Sequence, residues 1–198
     1  LSATPTRRDG LHVVLSDYFG PNKLVGKDSG KLIPAVEICR ANVVFPIRNP
    51  KLEWAKQLTK LAKNEKYINL IAEKAAEKVE EGRAVLIISE RIEFLEQLEK
   101  IIPNSKLVIG KTKDREKILD SVGKEVDVIL TTKIFDEEIS CHRLDTIFLT
   151  SPSSNFPLLE QRIGRILRTH EDKLSPLIVD FWLDGNIVQA QQGKRQQW

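Results

Sequence analysis

The feature that most constrains the fold of this chain is a repeated alternation of short apolar runs with longer amphipathic segments. Each run is at most six residues long, rich in valine and isoleucine, and nearly continuous in apolarity; the runs are NVVFPI, AVLIIS, KLVIG, VDVILT, DTIFLT and PLIVDF. Such runs are typical of strands covered on both faces of a parallel sheet. Because parallel strands need crossover connections, the alternation predicts an α/β domain with a mostly parallel central sheet and helices on both faces.

The segments between the runs have recognisable helix ends. Asn49 can cap a helix whose first residue is Pro50. The spacing of Leu52, Ala55 and Leu58 predicts that these side chains share the inward face of that helix. Further helices are predicted from Glu65 to a stop at Gly82, after Ser89 as far as Pro103, over 113–122 and over 157–168.

Length and composition narrow the class of protein. The 198 residues contain no run near the about 20 apolar residues that span a bilayer, so we expect no membrane partner. Cys39 and Cys141 are too few for a disulfide framework, which favours a reducing intracellular compartment, cytoplasm or nucleus alike. The net charge of +3 is only weak evidence for a polyanionic partner. The chain has no methionine and opens on LSATP, so we expect a fragment of a longer protein.

The stretch LLEQRIGRILRTH, residues 158–170, concentrates arginines on one predicted helix. Arg165 and Arg168 are three residues apart and therefore share a face. Gly164 beside them costs about 1 kcal/mol of helix stability relative to alanine, which fits a place where backbone or ligand must approach closely. Two converging guanidinium groups repel each other unless an anion lies between them, and a terminal phosphate suits their bidentate geometry. The alternative is an ordinary solvated helical pair, and for Arg162 a structural ion pair.

This arginine-rich stretch and several others resemble the motifs of a known family. QRIGRILR resembles motif VI of superfamily 2 helicases and translocases, in the form of the DNA-directed branch related to nucleotide-excision-repair and phage recombination helicases. LSATPTRRDG resembles motif III, GRAVLIISERIEFLEQL motif IV, VIGKTKDREKIL the segment after it, and ILTTKIFDEEISCHRLDTIFL motif V. The resemblance covers residues 1–10 and 82–182. The pattern DYFGP…GKLIP is similar to helicases of large DNA viruses and phages.

The resemblance implies a domain organisation. Residues 1–42 would be the end of a first RecA-like domain plus a linker, 43–184 the second RecA-like domain, and 185–198 a polar tail. The pattern G-x-x-x-x-G-K-[ST] does not occur in the sequence, so ATP and Mg²⁺ would be bound mainly by a missing N-terminal RecA-like domain. We therefore expect an ATP-dependent helicase or translocase as the full-length protein, acting on nucleic acid, DNA more than RNA. The fragment alone is expected to be inactive.

The resemblance also implies roles around the nucleotide. Arg165 and Arg168 would be the catalytic residues that contact the γ-phosphate across the cleft between the domains. Gln161 would position the motif VI helix or sense the nucleotide. Glu138 and Ser140 stand where the family has glycine and aspartate; Ser140 can still bond a ribose hydroxyl, without charge, and Glu138 favours a different turn.

Other residues are implied in coupling and in nucleic-acid binding. Ser2 and Thr4 of motif III would couple the nucleotide site to strand separation. Thr132 of motif V would touch a nucleic-acid phosphate, although an ordinary strand-end threonine is the alternative. The remaining candidates lie at two strand-to-helix turns, where a helix N-terminus attracts anions: Ser89, Arg91, Lys111, Thr112 and Arg115. For the turn at Lys111 the alternatives are a charged solvated turn and, for Thr112, a helix cap.

Two further classes of function can be weighed. A small-molecule nucleotide-binding enzyme of Rossmann type is set aside, because no G-x-G-x-x-G follows a strand. A non-catalytic adaptor with a degenerate helicase domain, binding nucleic acid or protein, is favoured by Glu138 and Ser140 and disfavoured by the intact QRIGRILR. A metal site is not expected, because the three histidines show no ligand spacing with the cysteines.

Overall fold

A computed structural model describes residues 17–18, 33–132, 141–153, 155–167 and 173–196. The chain divides into a short unit, Leu1–Lys31, and a large unit, Leu32–Trp198. In the short unit, described residues 17 and 18 are helical. The large unit contains the sheet and the helices that pack on it.

The large unit is an α/β domain, which confirms the predicted fold class. Six strands form a fully parallel sheet in the order β1-β6-β5-β2-β4-β3. The strands are β1 (Ala35–Val44), β2 (Val85–Ile88), β3 (Ser105–Val108), β4 (Val128–Thr131), β5 (Thr146–Leu149) and β6 (Leu177–Asp184). The helices are α1 (Pro50–Leu61), α2 (Glu65–Glu80), α3 (Ile92–Ile101), α4 (Arg115–Asp120), α5 (Phe156–Ile166) and α6 (Asn186–Gln196).

Helices cover both faces of the sheet, as the continuous apolarity of the strands predicts. In β2, Val85 and Ile87 point into one core and Leu86 and Ile88 into the other, since successive side chains of a strand alternate. The first core is completed by α1, α2 and α3, and the second by α4 and α5. Among the described residues, no helix combines the length and the apolarity needed to cross a membrane.

The predicted helix ends are largely confirmed. The Asn49 side chain accepts a hydrogen bond from the Lys51 N–H at 3.1 Å and caps α1. Gly82 follows α2 with a φ of +80°, a conformation that glycine adopts without strain. On α1, Leu58 is buried as predicted, but Leu52 is 79% exposed, because the apolar face of this helix is covered only along its second half.

Two segments differ from the sequence-based expectation. Strand β1 begins at Ala35, ahead of the run NVVFPI, because Glu37, Arg40 and Asn42 interrupt its apolar sequence. An edge strand covered on one face tolerates such polar residues, so it gives no continuous run. The segment expected to be a polar tail forms α6, in which Val188 and Gln192 are 0% and 1% exposed. A helix on the surface of a domain needs only one buried face, so a mostly polar sequence can form one. The boundaries of the three predicted domains stay a prediction.

Candidate functional site

The carboxyl edge of the sheet places three hydroxyl side chains next to one another. Ile88 at the end of β2 pairs with Thr131 of β4 and with Leu149 of β5. The residues that follow these strand ends are Ser89, Thr132 and Thr150. Since neighbouring strands lie about 4.8 Å apart, the three turns form one continuous border. The structure thus brings Ser89 and Thr132, two predicted site residues, to the same edge.

The three hydroxyl groups are used differently. Ser89 is 5% exposed, and its Oγ accepts a hydrogen bond from the Arg91 N–H at 3.2 Å. The Thr150 Oγ1 donates to the Ile88 carbonyl at 2.8 Å. Thr132 is half-buried, and its hydroxyl has no hydrogen-bond partner among the described residues. Of the two predicted phosphate contacts, the Thr132 hydroxyl is the more accessible to a ligand, while Ser89 is buried and its Oγ accepts a bond within its own turn.

Arg91 precedes α3 and points towards α1. Its Nη2 donates to the Ala55 carbonyl at 3.0 Å, and its buried Nε meets no acceptor in the described part of the chain. The residue lines an open groove of about 570 Å³ between α1 and α3, together with Lys56, Thr59 and Glu93. The groove carries both signs of charge, so its electrostatics alone select no ligand.

The turn after β3 is held by two of its predicted site residues. The Thr112 Oγ1 accepts from the Ile109 N–H at 2.9 Å. Arg115 folds back over the turn, with its Nε donating to the Thr112 carbonyl at 3.2 Å and its Nη2 donating to the Gly110 carbonyl. Helix α4 begins three residues after Thr112, so this hydroxyl closes the turn and does not cap the helix. Lys111 is exposed and presents its charge to solvent.

Helix α5 carries the arginine-rich motif beside the same edge. Arg162 is 9% exposed and lines a cleft with Ser89 and Thr150, while Gln161 is exposed. Arg165 belongs to α5, but its side chain lies outside the description. The remaining predicted site residues lie outside the described ranges: Arg168, Glu138, Ser140, Ser2 and Thr4.

Two buried groups near α5 are not singled out by the sequence analysis. Tyr67 of α2 is 1% exposed, and its Oη donates to the Thr150 carbonyl at 2.6 Å. Burial, reinforced by the nearby Asp180 carboxylate, raises the pKa of Tyr67, so the phenol remains a donor. Arg195 of α6 donates to Asp180 and to the Ser153 carbonyl. Asp180 could have indicated that such a residue exists, since a carboxylate within an apolar strand requires a hydrogen-bonding or charged partner.

The described site brings hydroxyl and guanidinium side chains to one edge of the sheet. Hydroxyl and guanidinium groups donate hydrogen bonds to phosphates. Within the described ranges, no group of three or more histidine, cysteine, aspartate or glutamate side chains is placed to hold a metal ion.

Comparisons with known proteins agree with this arrangement. The helicase conserved C-terminal domain family matches residues 62–170. Probable helicase D10 of Escherichia phage T5 is 30% identical over 194 residues, which cover 93% of this chain and 43% of the relative. S. cerevisiae Dbp5 bound to RNA and ADP BeF3 superposes with a TM-score of 0.66 at 12% identity, over 99% of this chain and 47% of that one. T4 UvsW gives 0.56 at 18% identity, over 75% and 33%.

The chain spans less than half the length of each of these relatives. At such low identities the likeness to Dbp5 and UvsW shows the fold alone. The family match covers more than half of the chain and runs from the end of α1 past α5, so it includes the turns at the carboxyl edge and QRIGRILR. The chain therefore belongs to the helicase conserved C-terminal domain family, and its fold is RecA-like.

Proposed function

We propose that this domain is the C-terminal motor half of an ATP-dependent nucleic-acid helicase or translocase. Its arginine helix α5 would complete an ATP site whose other half belongs to an N-terminal RecA-like domain of the same protein. The observation that carries the proposal is the position of residues 161–166, the helical part of QRIGRILR, on a helix that borders the hydroxyl-lined carboxyl edge, with Arg162 buried in the cleft between them.

The residues of this chain suit one half of a triphosphate site. The sequence does not contain the phosphate-loop pattern G-x-x-x-x-G-K-[ST], and the hydroxyl and guanidinium groups beside α5 can donate hydrogen bonds to an anion. The partner domain would hold ATP and Mg²⁺, which supply the phosphoryl group to be transferred. Arg165 and Arg168 would stabilise the negative charge that develops during that transfer, a contribution on the order of a thousand-fold or more in rate. Gln161 would hold the helix in register with the nucleotide.

The nucleic-acid track would run along the turns after β4 and β3. Thr132 offers a hydroxyl that no described residue uses, and Lys111 offers an exposed ammonium group. Contacts of this kind bind the phosphate backbone and do not read sequence. We propose DNA as the main substrate, because the form of motif VI is the DNA-directed one. A direct comparison of single-stranded DNA and RNA of equal length tests that choice.

The proposed roles separate in a pair of variants of the full-length protein. Arg168→Ala should lower kcat for ATP hydrolysis on the order of a thousand-fold while the Kd for nucleic acid stays nearly constant, since the arginine acts in the transition state. Lys111→Ala should weaken nucleic-acid binding and reduce its salt dependence, yet leave kcat at saturating nucleic acid unchanged. Steady-state ATPase assays and fluorescence anisotropy measure both quantities.

The reverse result would contradict the assignment. If Arg168→Ala abolished nucleic-acid binding and turnover survived, this arginine would belong to the track and not to the ATP site. If the wild-type full-length protein bound nucleic acid without any ATP hydrolysis, the adaptor function suggested by Glu138 and Ser140 would replace the motor.

A further inference from the structure

The backbone between β5 and α5 is held by side chains from two helices that are distant in sequence. Six residues separate Leu149, the last of β5, from Phe156, the first of α5. Tyr67 of α2 bonds the carbonyl of the first of these residues, Thr150, and Arg195 of α6 bonds the carbonyl of the fourth, Ser153. Both bonds are made to the main chain, so they restrain the path of the segment whatever its side chains are.

Tyr67 provides a rigid contact at the β5 end. Its ring stacks on Phe94 at a centroid distance of 5.9 Å and meets Phe181 edge-on at 6.2 Å. These contacts fix the ring, and the hydroxyl then donates to Thr150 at 2.6 Å. The phenol cannot leave this position without exposing a fully buried aromatic side chain.

Arg195 provides a charged contact at the α5 end. Its Nε and Nη2 donate to the two oxygens of Asp180 at 3.0 and 2.7 Å, and its Nη1 donates to the Ser153 carbonyl at 2.9 Å. The side chains of Arg195 and Asp180 are only 6% and 7% exposed. The Trp182 indole also donates to Asp180, at 3.0 Å. A buried bidentate pair has one geometry, so the third donor of the guanidinium is aimed at a fixed point.

The restraint is passed on to the first turn of α5. The Ser153 Oγ accepts from the Asn155 N–H at 3.2 Å, and the Asn155 carbonyl accepts from the Leu159 N–H at 3.0 Å. A continuous series of hydrogen bonds therefore leads from Arg195 into the helix. Errors of about 1 Å in the placement of catalytic groups can cost about a hundred-fold in rate, so such a restraint matters for a helix that carries catalytic arginines.

We propose that Arg195 and Tyr67 are positioning residues that fix the start of α5 and, through it, Arg162 and Arg165, the two arginines within this helix. The restraint on the start of α5 does not depend on the proposed motor function. Its effect on catalysis does rest on that function. Through Arg195, α6 contributes to the site although this helix comes after the last strand of the sheet.

Hydrogen–deuterium exchange on this chain tests the restraint without any nucleotide. Arg195→Ala should speed exchange in the first turn of α5 by roughly ten-fold beyond the change in global stability, because the opening is local. Tyr67→Phe, which keeps the ring and removes one hydrogen bond, should speed it by a smaller factor and should still fold. Mass spectrometry of peptides from this segment measures the local exchange rate, and thermal unfolding measured in parallel gives the change in global stability.

Arg83→Ala is the matched control. Arg83 also faces a buried aspartate, with its Nη1 3.7 Å from Asp145, and also donates to a loop carbonyl, that of Ser175 at 2.9 Å. These contacts lie at the amino edge of the sheet. Arg83→Ala should destabilise the domain without selective exchange in α5. Equal effects of Arg83→Ala and Arg195→Ala on α5 would overturn the proposal.

Turnover in the full-length protein completes the test. Arg195→Ala should lower kcat with little change in KM for ATP, Arg195→Lys should recover part of the loss, and Arg83→Ala should leave kcat unchanged. Selective exchange in α5 with unchanged kcat would overturn the catalytic consequence. If the wild-type protein had no ATPase activity, the motor function would be wrong, but the hydrogen–deuterium exchange would still test the restraint. The two failures are therefore distinguishable.

Discussion

Gly164 shows how a single residue of α5 bears on the proposed function. A Cβ built at Gly164 meets nothing within 4 Å in the part of the chain that the structure describes, and the same is true of Gly193 in α6. Glycine costs a helix about 1 kcal/mol relative to alanine, and packing within this domain explains that cost at neither position. At Gly164, beside the arginines, close approach of the proposed N-terminal domain would give a reason for the missing side chain.

Replacing each glycine by alanine separates stability from function. Gly164→Ala and Gly193→Ala should both raise the free energy of unfolding of this domain by about 0.5–1 kcal/mol, as measured by urea denaturation. In the full-length protein, Gly164→Ala should lower ATPase activity and Gly193→Ala should not. Full activity of Gly164→Ala would mean that nothing approaches the helix closely there.

At the residue scale, the sequence predicts where a polar side chain lies better than it predicts which atom that side chain bonds. Ser89 and Thr132 could be placed at one edge because parallel strands end together and each residue directly follows an apolar run. The partners of Arg91 and Arg115 could not be predicted, since each guanidinium bonds a carbonyl whose position depends on how turns and helices pack. Arg195 could not be paired with Ser153 for the same reason, since the two are 42 residues apart in the sequence.

At the scale of elements, α2 is tied to strand β1 by charges at the amino edge of the sheet. The Lys78 side chain is 6% exposed, and its Nζ lies 2.9 Å from Glu37, 2.9 Å from Glu77 and 2.8 Å from Glu81. Burial alone would raise the pKa of Glu37, but hydrogen bonds from Lys78 and Lys74 lower it. The pKa of Glu77 is lowered chiefly by Lys74 and then by Lys78, and that of Glu81 chiefly by Lys78.

These shifts predict the sign of the pH dependence. A carboxyl group with a lowered pKa in the folded state stabilises the fold above its ordinary pKa of about 4.5, and this stabilisation is lost as the pH falls through the lowered value. Lys78→Met should therefore destabilise the domain at pH 7 and flatten the decline of unfolding free energy towards acid. Lys117→Met, which removes an exposed 3.5 Å pair with Asp114, should leave that decline unchanged. Urea denaturation from pH 7 to acid compares the two, and an unaltered slope in Lys78→Met would contradict the account.

The elements that the sequence predicted less well share a physical cause. Periodicity predicts which residues of a helix share a face, but not how far along the helix that face is covered, as Leu52 shows in α1. An edge strand such as β1 and a peripheral helix such as α6 bury one side only. Their apolar signal is therefore weak, although the spacing of Val188, Gln192 and Arg195 is that of one helical face.

At the scale of the whole molecule, the organisation of the domain supports the proposed role as one half of a two-domain motor. A parallel sheet gathers the turns of β3, β4, β2 and β5 at one edge, and the arginine helix leaves from that same edge. The chain spans less than half of the relatives that it matches. Phosphoryl transfer needs a phosphate loop as well as arginines, and this sequence contains only the latter.

The most direct test is the ATPase rate of the chain measured alone and then joined to the N-terminal RecA-like domain that we propose as its partner, each with single-stranded DNA present. The account predicts a background rate for the chain alone and nucleic-acid-stimulated turnover for the joined protein, abolished by Arg168→Ala. Robust turnover by the chain alone, or turnover in the joined protein that is indifferent to Arg168, would contradict it.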